Sequence, residues 1–157
     1  LSSAESILES EGVDALTMRR LAQVVGMQAP SLYKHVRDKD ELVAALQERA
    51  LDSMGRALAD AGTDLAALAS AYRAWARAHP ALYEVATGRP LDRQRLTPGV
   101  EAAAAATLVE AVGGDEHRSR ALWAAAHGLV DLELNDRYPP DADLDAAWSA
   151  LVDAFGG

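Results

Sequence analysis

Cysteine is absent from the 157 residues. A disulfide framework, a thiol nucleophile and a thiolate metal site are thereby excluded, and the composition fits a reducing compartment such as the cytoplasm. No apolar run is long enough to span a bilayer, and no signal-peptide pattern is visible. Alternation of apolar and polar residues at strand period is convincing nowhere, and no repeat of solenoid length occurs. Catalytic patterns are missing too: there is no nucleophile elbow, phosphate-binding glycine loop or paired catalytic carboxylate. The four histidines, His35, His79, His117 and His127, form no HxxxH pair. His127 with Asp131 at i, i+4 is a weak ligand pair, so neither a metal, a cofactor nor an enzyme is expected. Aromatic residues are scarce, with one phenylalanine, three tryptophans and four tyrosines, so the places where they gather carry information. Cations are in the minority, 15 against 24 acidic residues, giving a net charge of −9. The chain opens at Leu1 rather than Met, inside a helical pattern, so some N-terminal residues are expected to be missing.

What is present is organised around residues 16–42, LTMRRLAQVVGMQAPSLYKHVRDKDEL. Thr17 is suited to cap a helix, with Leu16 and Leu21 placed to form a hydrophobic staple across the cap. Leu21, Val24 and Val25 fall on one face, opposite Arg19, Arg20 and Gln23. Gly26 can take the positive φ that ends a helix, and Pro30 suits the first turn of the next. Leu32 and Val36 then point inward at i, i+4, and Asp38 with Glu41 forms a capping box that opens a third helix. Two short amphipathic helices about a glycine turn are the helix-turn-helix pattern of DNA-reading heads. The charge agrees: residues 16–39 hold five cations and one carboxylate, a balance of +4 that leaves −13 for the rest. A basic patch on an acidic body directs one face toward phosphates. Alone, such a cluster would be an ordinary solvated surface; the helix-turn-helix spacing is what argues otherwise.

This stretch resembles the DNA-binding signature of the tetracycline-repressor (TetR) family of bacterial transcriptional regulators. Thr17, Arg19, Leu21, Ala22, Gly26, Leu32, Tyr33, His35, Val36, Lys39 and Leu42 fall on the family's pattern. The resemblance implies double-stranded operator DNA as partner. A recognition helix reads base edges from its N-terminal half. Gln28 can offer a paired donor and acceptor to adenine, while Ala29, Pro30 and Ser31 are small enough for close approach. Thr17, Arg19, Tyr33, Lys34, His35 and Lys39 are the candidate phosphate grips, which position without specifying. Tyr33 and His35 could equally be packing residues of the head.

The chain is expected to be all-α with about nine helices: a helix-turn-helix domain at 1–37 and a C-terminal helical regulatory and dimerisation domain at 38–157. A first helix spans residues 3–10 and stops at Gly12. A long helix from Asp38 to near Gly62 joins the two parts, with Gly55 as its one breaker. Thr63 is expected to cap the next helix, which Pro80 stops or kinks; a short helix follows at 81–87. Residues 89–96 read as a loop and Thr97-Pro98 as a capped helix start. The 102–106 alanine run is a strong helix former that permits close helix approach, and Gly113-Gly114 ends it. Asp115 opens a further helix, and the last runs from Leu144 to Phe155. Tyr72, Trp75, His79, Tyr83, Trp123 and His127 are candidates to line a pocket for an unknown small-molecule effector; they could instead be core aromatics. The segment at 122–134, LWAAAHGLVDLEL, resembles the Trp-His-Gly motif of a TetR C-terminal subfamily. The wide apolar stripe of the last helix suggests a homodimer, as similar proteins form, through Leu129, Trp148, Leu151, Val152 and Phe155. The function expected is a regulator, a repressor released from a palindromic operator by its effector. The alternative is a helical small-molecule-binding protein or enzyme with a vestigial DNA-binding head.

Overall fold

A computed structural model of the chain describes residues 1–156, and of Ala29 the backbone alone. Among the described residues there are nine α-helices, one 3₁₀ turn and no strand. No helix is long and apolar enough to cross a membrane. Two compact units result: Leu1–Asp52 with His79–Val100, and Ser53–Ala78 with Glu101–Gly157. The functional boundary expected after Arg37 lies inside the first unit. Packing places the division within a continuous helix, because the start of that helix shares a core with the head.

In the first unit, α1 (Ser2–Glu11) buries Ala4, Ile7 and Leu8, one stripe at i, i+3, i+4. A 3₁₀ turn at Val13–Ala15 leads to α2 (Met18–Val24). The Thr17 hydroxyl accepts the Arg20 amide at 3.0 Å, which is the expected cap. Leu16, Leu21 and Ala22 are buried, but Val24 and Val25 are 43% and 36% exposed. The face they are expected to share with Leu21 is buried only at Leu21; Val24 and Val25 stand at the open C-terminal end of the two-turn helix. The stop is a Schellman motif. Met27 N–H donates to the Ala22 carbonyl at 2.9 Å, Gly26 N–H donates to that of Gln23 at 3.2 Å, and Gly26 has φ 69°.

Helix α3 (Ala29–Leu32) is a single turn, shorter than the sequence suggests. Residues 33–35 continue as hydrogen-bonded turns, in which the His35 and Val36 amides both donate to the Leu32 carbonyl. The backbone thus stays satisfied while Leu32 remains buried and Val36 half-buried. Helix α4 (Lys39–Ala61) opens on Asp38, whose Oδ1 accepts the Glu41 amide at 2.7 Å. Glu41 returns the bond one residue early, accepting the Arg37 amide at 2.6 Å. The unit is completed by α6 (Pro80–Thr87), which packs on α1. Its N-terminal Leu82 amide donates to Glu9 of α1 at 3.1 Å. Buried Gln47 of α4 donates to the carbonyls of Val85 and Pro90, holding the end of α6 and the loop that follows.

The second unit contains α4 from Ser53 onward, α5 (Leu65–Ala78), α7 (Val100–Ala111), α8 (Glu116–Leu134) and α9 (Leu144–Phe155). Asp64, not Thr63, caps α5, since its carboxylate accepts the Ala67 amide at 2.8 Å. The helix start expected at Thr97-Pro98 is also displaced. Thr97 gives both its amide and its hydroxyl to Glu48, so α7 begins only at Val100. Asp115 and Asp143 cap α8 and α9. Helices α5, α8 and α9 pack mutually and are locked by Arg73. Its guanidinium bonds Glu133 of α8 at 2.8 and 3.0 Å and Asp145 of α9 at 2.6 Å, and lies over the Trp148 ring.

Gly55 is more than a tolerated breaker. A Cβ there would stand 2.9 Å from the Ala104 Cα of α7, so glycine on one helix and alanine on the other permit a close backbone approach. Gly55→Ala is therefore expected to destabilise the protein by about 1–3 kcal/mol in urea unfolding. Intrinsic helix propensity alone predicts a gain of about 1 kcal/mol instead. Ala104→Gly should not rescue it, because the nearest obstacle is backbone.

Candidate nucleic-acid interface

The head keeps Leu16, Leu21, Ala22 and Leu32 in a small core and presents its polar residues outward, beside the exposed Val24, Val25 and Met27. Gln28, Pro30, Tyr33, Lys34 and His35 are exposed around α3, and Ser31 is half-buried. The side chain of Ala29 lies outside the described residues. Thr17 is exposed; its oxygen is engaged as a cap, which leaves the hydroxyl hydrogen able to donate outward. Arg19 at the start of α2 and Lys39 at the start of α4 are exposed as well.

The cations are not equivalent. Arg20 is committed to Glu11 through three hydrogen bonds of 2.6–3.1 Å. Arg37 is paired with Glu41 at 3.2 Å. Among the described residues Arg19, Lys34 and Lys39 have no ion pair and can meet a phosphate at no internal loss. By compact unit, nine cations face eleven carboxylates in the first (net −2) and six face thirteen in the second (net −7). Within residues 16–39 the positive character is thus a matter of three unpaired side chains, not of a basic domain. Arg20 holds the Glu11 carboxyl below its usual range through hydrogen bonding. Asp38 is lowered first by the Glu41 amide and then by Arg95. Glu41 is lowered by the Arg37 amide and guanidinium. Glu11 and Arg95 escaped the sequence reading because each lies far along the chain from its partner, where no helical period links them.

Within the second unit an apolar cavity of about 30 Å³ is lined by Leu58, Leu68, Tyr72, Leu122, Trp123 and Leu151, among others. That is room for one or two waters, and no charged side chain lines it. Of the six aromatic and histidine residues expected at a pocket, Tyr72 and Trp123 reach this lining. His127 stacks on Trp123 with centroids 5.9 Å apart. Trp75 is buried, its Nε1 donating to Ser53 at 3.0 Å. His79 precedes α6 and Tyr83 is buried within it, both in the first unit. The six therefore do not wall one cavity of a single unit. Of the five residues expected at a dimer contact, Trp148 and Leu151 are turned into the unit's own core. Leu129, Val152 and Phe155 are half-buried, while Trp123 is 45% and Leu132 41% exposed.

A capped helix, a glycine-reversed turn and a one-turn helix with an exposed polar flank define a helix-turn-helix DNA-binding regulator. Comparison with known proteins makes this specific. Residues 1–46 match the family model "Bacterial regulatory proteins, tetR family", and residues 65–155 match "Tetracyclin repressor-like, C-terminal domain". An uncharacterized HTH-type transcriptional regulator of Mycobacterium tuberculosis is 33% identical over 169 residues, covering 97% of this chain and 76% of that protein. The class E tetracycline repressor protein of Escherichia coli is 45% identical over 51 residues, 32% of this chain and 24% of its own length. A crystal structure of a protein described as regulatory superposes with a TM-score of 0.81 at 26% identity, covering 98% of this chain and 91% of the other. The chain belongs to the TetR family of transcriptional regulators.

The Glu11–Arg20 pair joins α1 to α2, so it carries a pH signature. With the folded-state value of Glu11 depressed, its contribution is complete above the ordinary 4.5 and is lost as pH falls through the lowered value. Glu11→Gln should therefore flatten the acid limb of stability below that point and leave the neutral limb parallel to wild type, as read by urea midpoints across pH. About 1 M salt should shrink the difference, since the pair is exposed.

Proposed function

We propose that this regulator binds a palindromic operator as a two-fold homodimer, and that it acts as a repressor in the cytoplasm. Residues 1–37 serve as reading head and residues 38–157 as the regulatory and dimerising part. The observation that carries the reading is the set of unpaired, exposed cations, Arg19, Lys34 and Lys39, on the unit that presents Gln28. Every other cation of residues 16–39 is spent on an internal carboxylate. A vestigial head, the alternative reading, would have no reason to keep these three free. Gln28, Pro30 and Ser31 face base edges, with Ala29 between them. Thr17, Tyr33 and His35 add neutral phosphate contacts. The partner copy docks on α8 and α9, where Leu129, Val152 and Phe155 still have surface to offer.

The effector, on this reading, is a small uncharged apolar molecule admitted beside Tyr72 and Trp123. A charged one would have to be desolvated against a lining without a counter-charge. At about 30 Å³ the cavity must widen before anything larger than water enters. Effector affinity is then reduced by the fraction of molecules that are open. Trp123, half-exposed and stacked on His127, is the wall residue freest to move. The same small volume favours a second reading, a constitutive regulator with a filled interior. Helix α4 is continuous through both units and is the covalent route by which an effector would bias the heads.

A duplex selected by the wild-type chain from a randomised 40-base-pair pool tests the DNA reading. Arg19→Ala and Lys39→Ala should each weaken binding and lower the slope of log K against log salt by about 0.9. Gln28→Ala should relax preference at one base pair by about 1–3 kcal/mol and leave the slope alone. Recovery of no duplex, or unchanged slopes in both cation variants, rejects these roles.

A further inference from the structure

The approach to α4 is an awkward place for a phosphate contact. Residues 37–41 hold two cations, Arg37 and Lys39, against three carboxylates, Asp38, Asp40 and Glu41. Carboxylates are favoured here on internal grounds, because the first turn of a helix exposes unpaired amides and the positive end of its dipole. Asp38 is the extreme case: it must be present to accept the Glu41 amide, yet it immediately precedes Lys39. Left bare, its charge would oppose the phosphate that Lys39 is proposed to hold.

A side chain from far along the chain answers this. Arg95, in the loop between α6 and α7, donates from one terminal nitrogen to Asp38 Oδ1 at 3.0 Å. Its Nε donates to Asp92 at 3.0 Å, which orients the guanidinium. Asp92 is itself fixed, its carboxylate accepting the Gln94 amide and its carbonyl the Arg95 amide. The loop is held along α4 on either side of Arg95. Gln47 bonds the Pro90 carbonyl at 3.3 Å, and Glu48 takes the Thr97 amide and hydroxyl at 2.9 and 2.7 Å. Leu96 is buried next to Arg95 and anchors the loop by its apolar side chain. An isolated exposed ion pair gains little because two flexible side chains must be ordered. Here the loop is already ordered by other bonds, so Arg95 is delivered to Asp38 at small further entropy loss.

We infer that Arg95 is a positioning residue for DNA binding: it neutralises the Asp38 cap beside Lys39, so that this end of α4 can approach a phosphate. The inference rests on the proposed role of Lys39. Arg95 itself need not touch DNA. Its removal strands two carboxylates, Asp38 and Asp92, at the edge of the head, and the cap of α4 stays intact.

The test is a double-mutant cycle on the selected duplex at about 0.1 M salt. Asp38→Asn removes the charge and keeps a capping side chain. Arg95→Gln keeps length and polarity and removes the cation. Arg95→Gln alone should weaken binding about three- to tenfold, with unchanged circular dichroism. In the Asp38→Asn background the same change should cost less than about twofold. Asp38→Asn alone should bind at least as well as wild type. Equal losses in both backgrounds would overturn the inference, by making Arg95 a direct phosphate contact. So would an Arg95→Gln variant that binds as wild type. If Arg95→Gln lowers the urea midpoint, Arg95→Lys, which restores the charge, should recover both midpoint and affinity; recovery of the midpoint alone also overturns it. If the wild-type chain selects no duplex, the reading of the head fails first.

Discussion

The carboxylate of Asp38 is where the demands on this chain meet. A helix of twenty-three residues cannot begin without something to accept its first amides, and Asp38 accepts that of Glu41. The same bond fixes the direction in which the chain leaves the head, since Arg37 is held by Glu41 in return. Leu42, Ala44 and Leu46 enter the first core, Gln47 reaches the loop after α6, and Met54 and Leu58 are buried beyond Ser53. An apolar residue at position 38 would leave the amides open, and a cation would repel the helix dipole.

The elements most readable from the sequence are those whose cause is local. Thr17, Gly26, Asp38 with Glu41, Pro80 and Asp115 each act within four residues, and each helix boundary they predict is found. Where the structure differs, either a distant group takes over a local one or two neighbours compete for one role. Thr97 looks like a helix cap, but Glu48 of α4 claims both its donors. Thr63 looks like a cap, but the carboxylate of Asp64 is the stronger acceptor for the same turn. Val24 and Val25 complete an apolar stripe on paper, but they stand at the end of α2, where no neighbour covers them. Gly55 looks like a cost until Ala104 is brought against it.

The candidate sites divide along the same line. The head's outward residues follow from short helices with known ends, so their exposure was legible. The aromatic set was not. A stripe at three- and four-residue steps says that Tyr72 and Trp75 share a buried face, and both are buried. It cannot say that Trp75 turns its indole to Ser53, or that His79 belongs to the start of α6 instead of the end of α5. Those outcomes depend on which helices become neighbours.

Charge is the subtlest case, because a count along the sequence and a count in space answer different questions. The surplus of +4 over residues 16–39 is real as arithmetic, but Glu11, Glu41 and the other carboxylates of the first unit more than cancel it. A phosphate does not respond to that total. At physiological salt, exposed charges farther away than about 8 Å are largely screened, so the unit's net −2 matters less than which cations stand bare at its surface. An ion pair already formed presents a dipole, which fades faster with distance than a charge does. Arg20 with Glu11 and Arg37 with Glu41 therefore fall nearly silent, while Arg19, Lys34 and Lys39 are tied up in no ion pair. An acidic protein can present a cationic face in this way. The carboxylates that are paired internally, as Glu11, Glu41 and Asp38 are, weigh less against a phosphate than their number suggests, and the cation that pairs Asp38 comes from far along the chain.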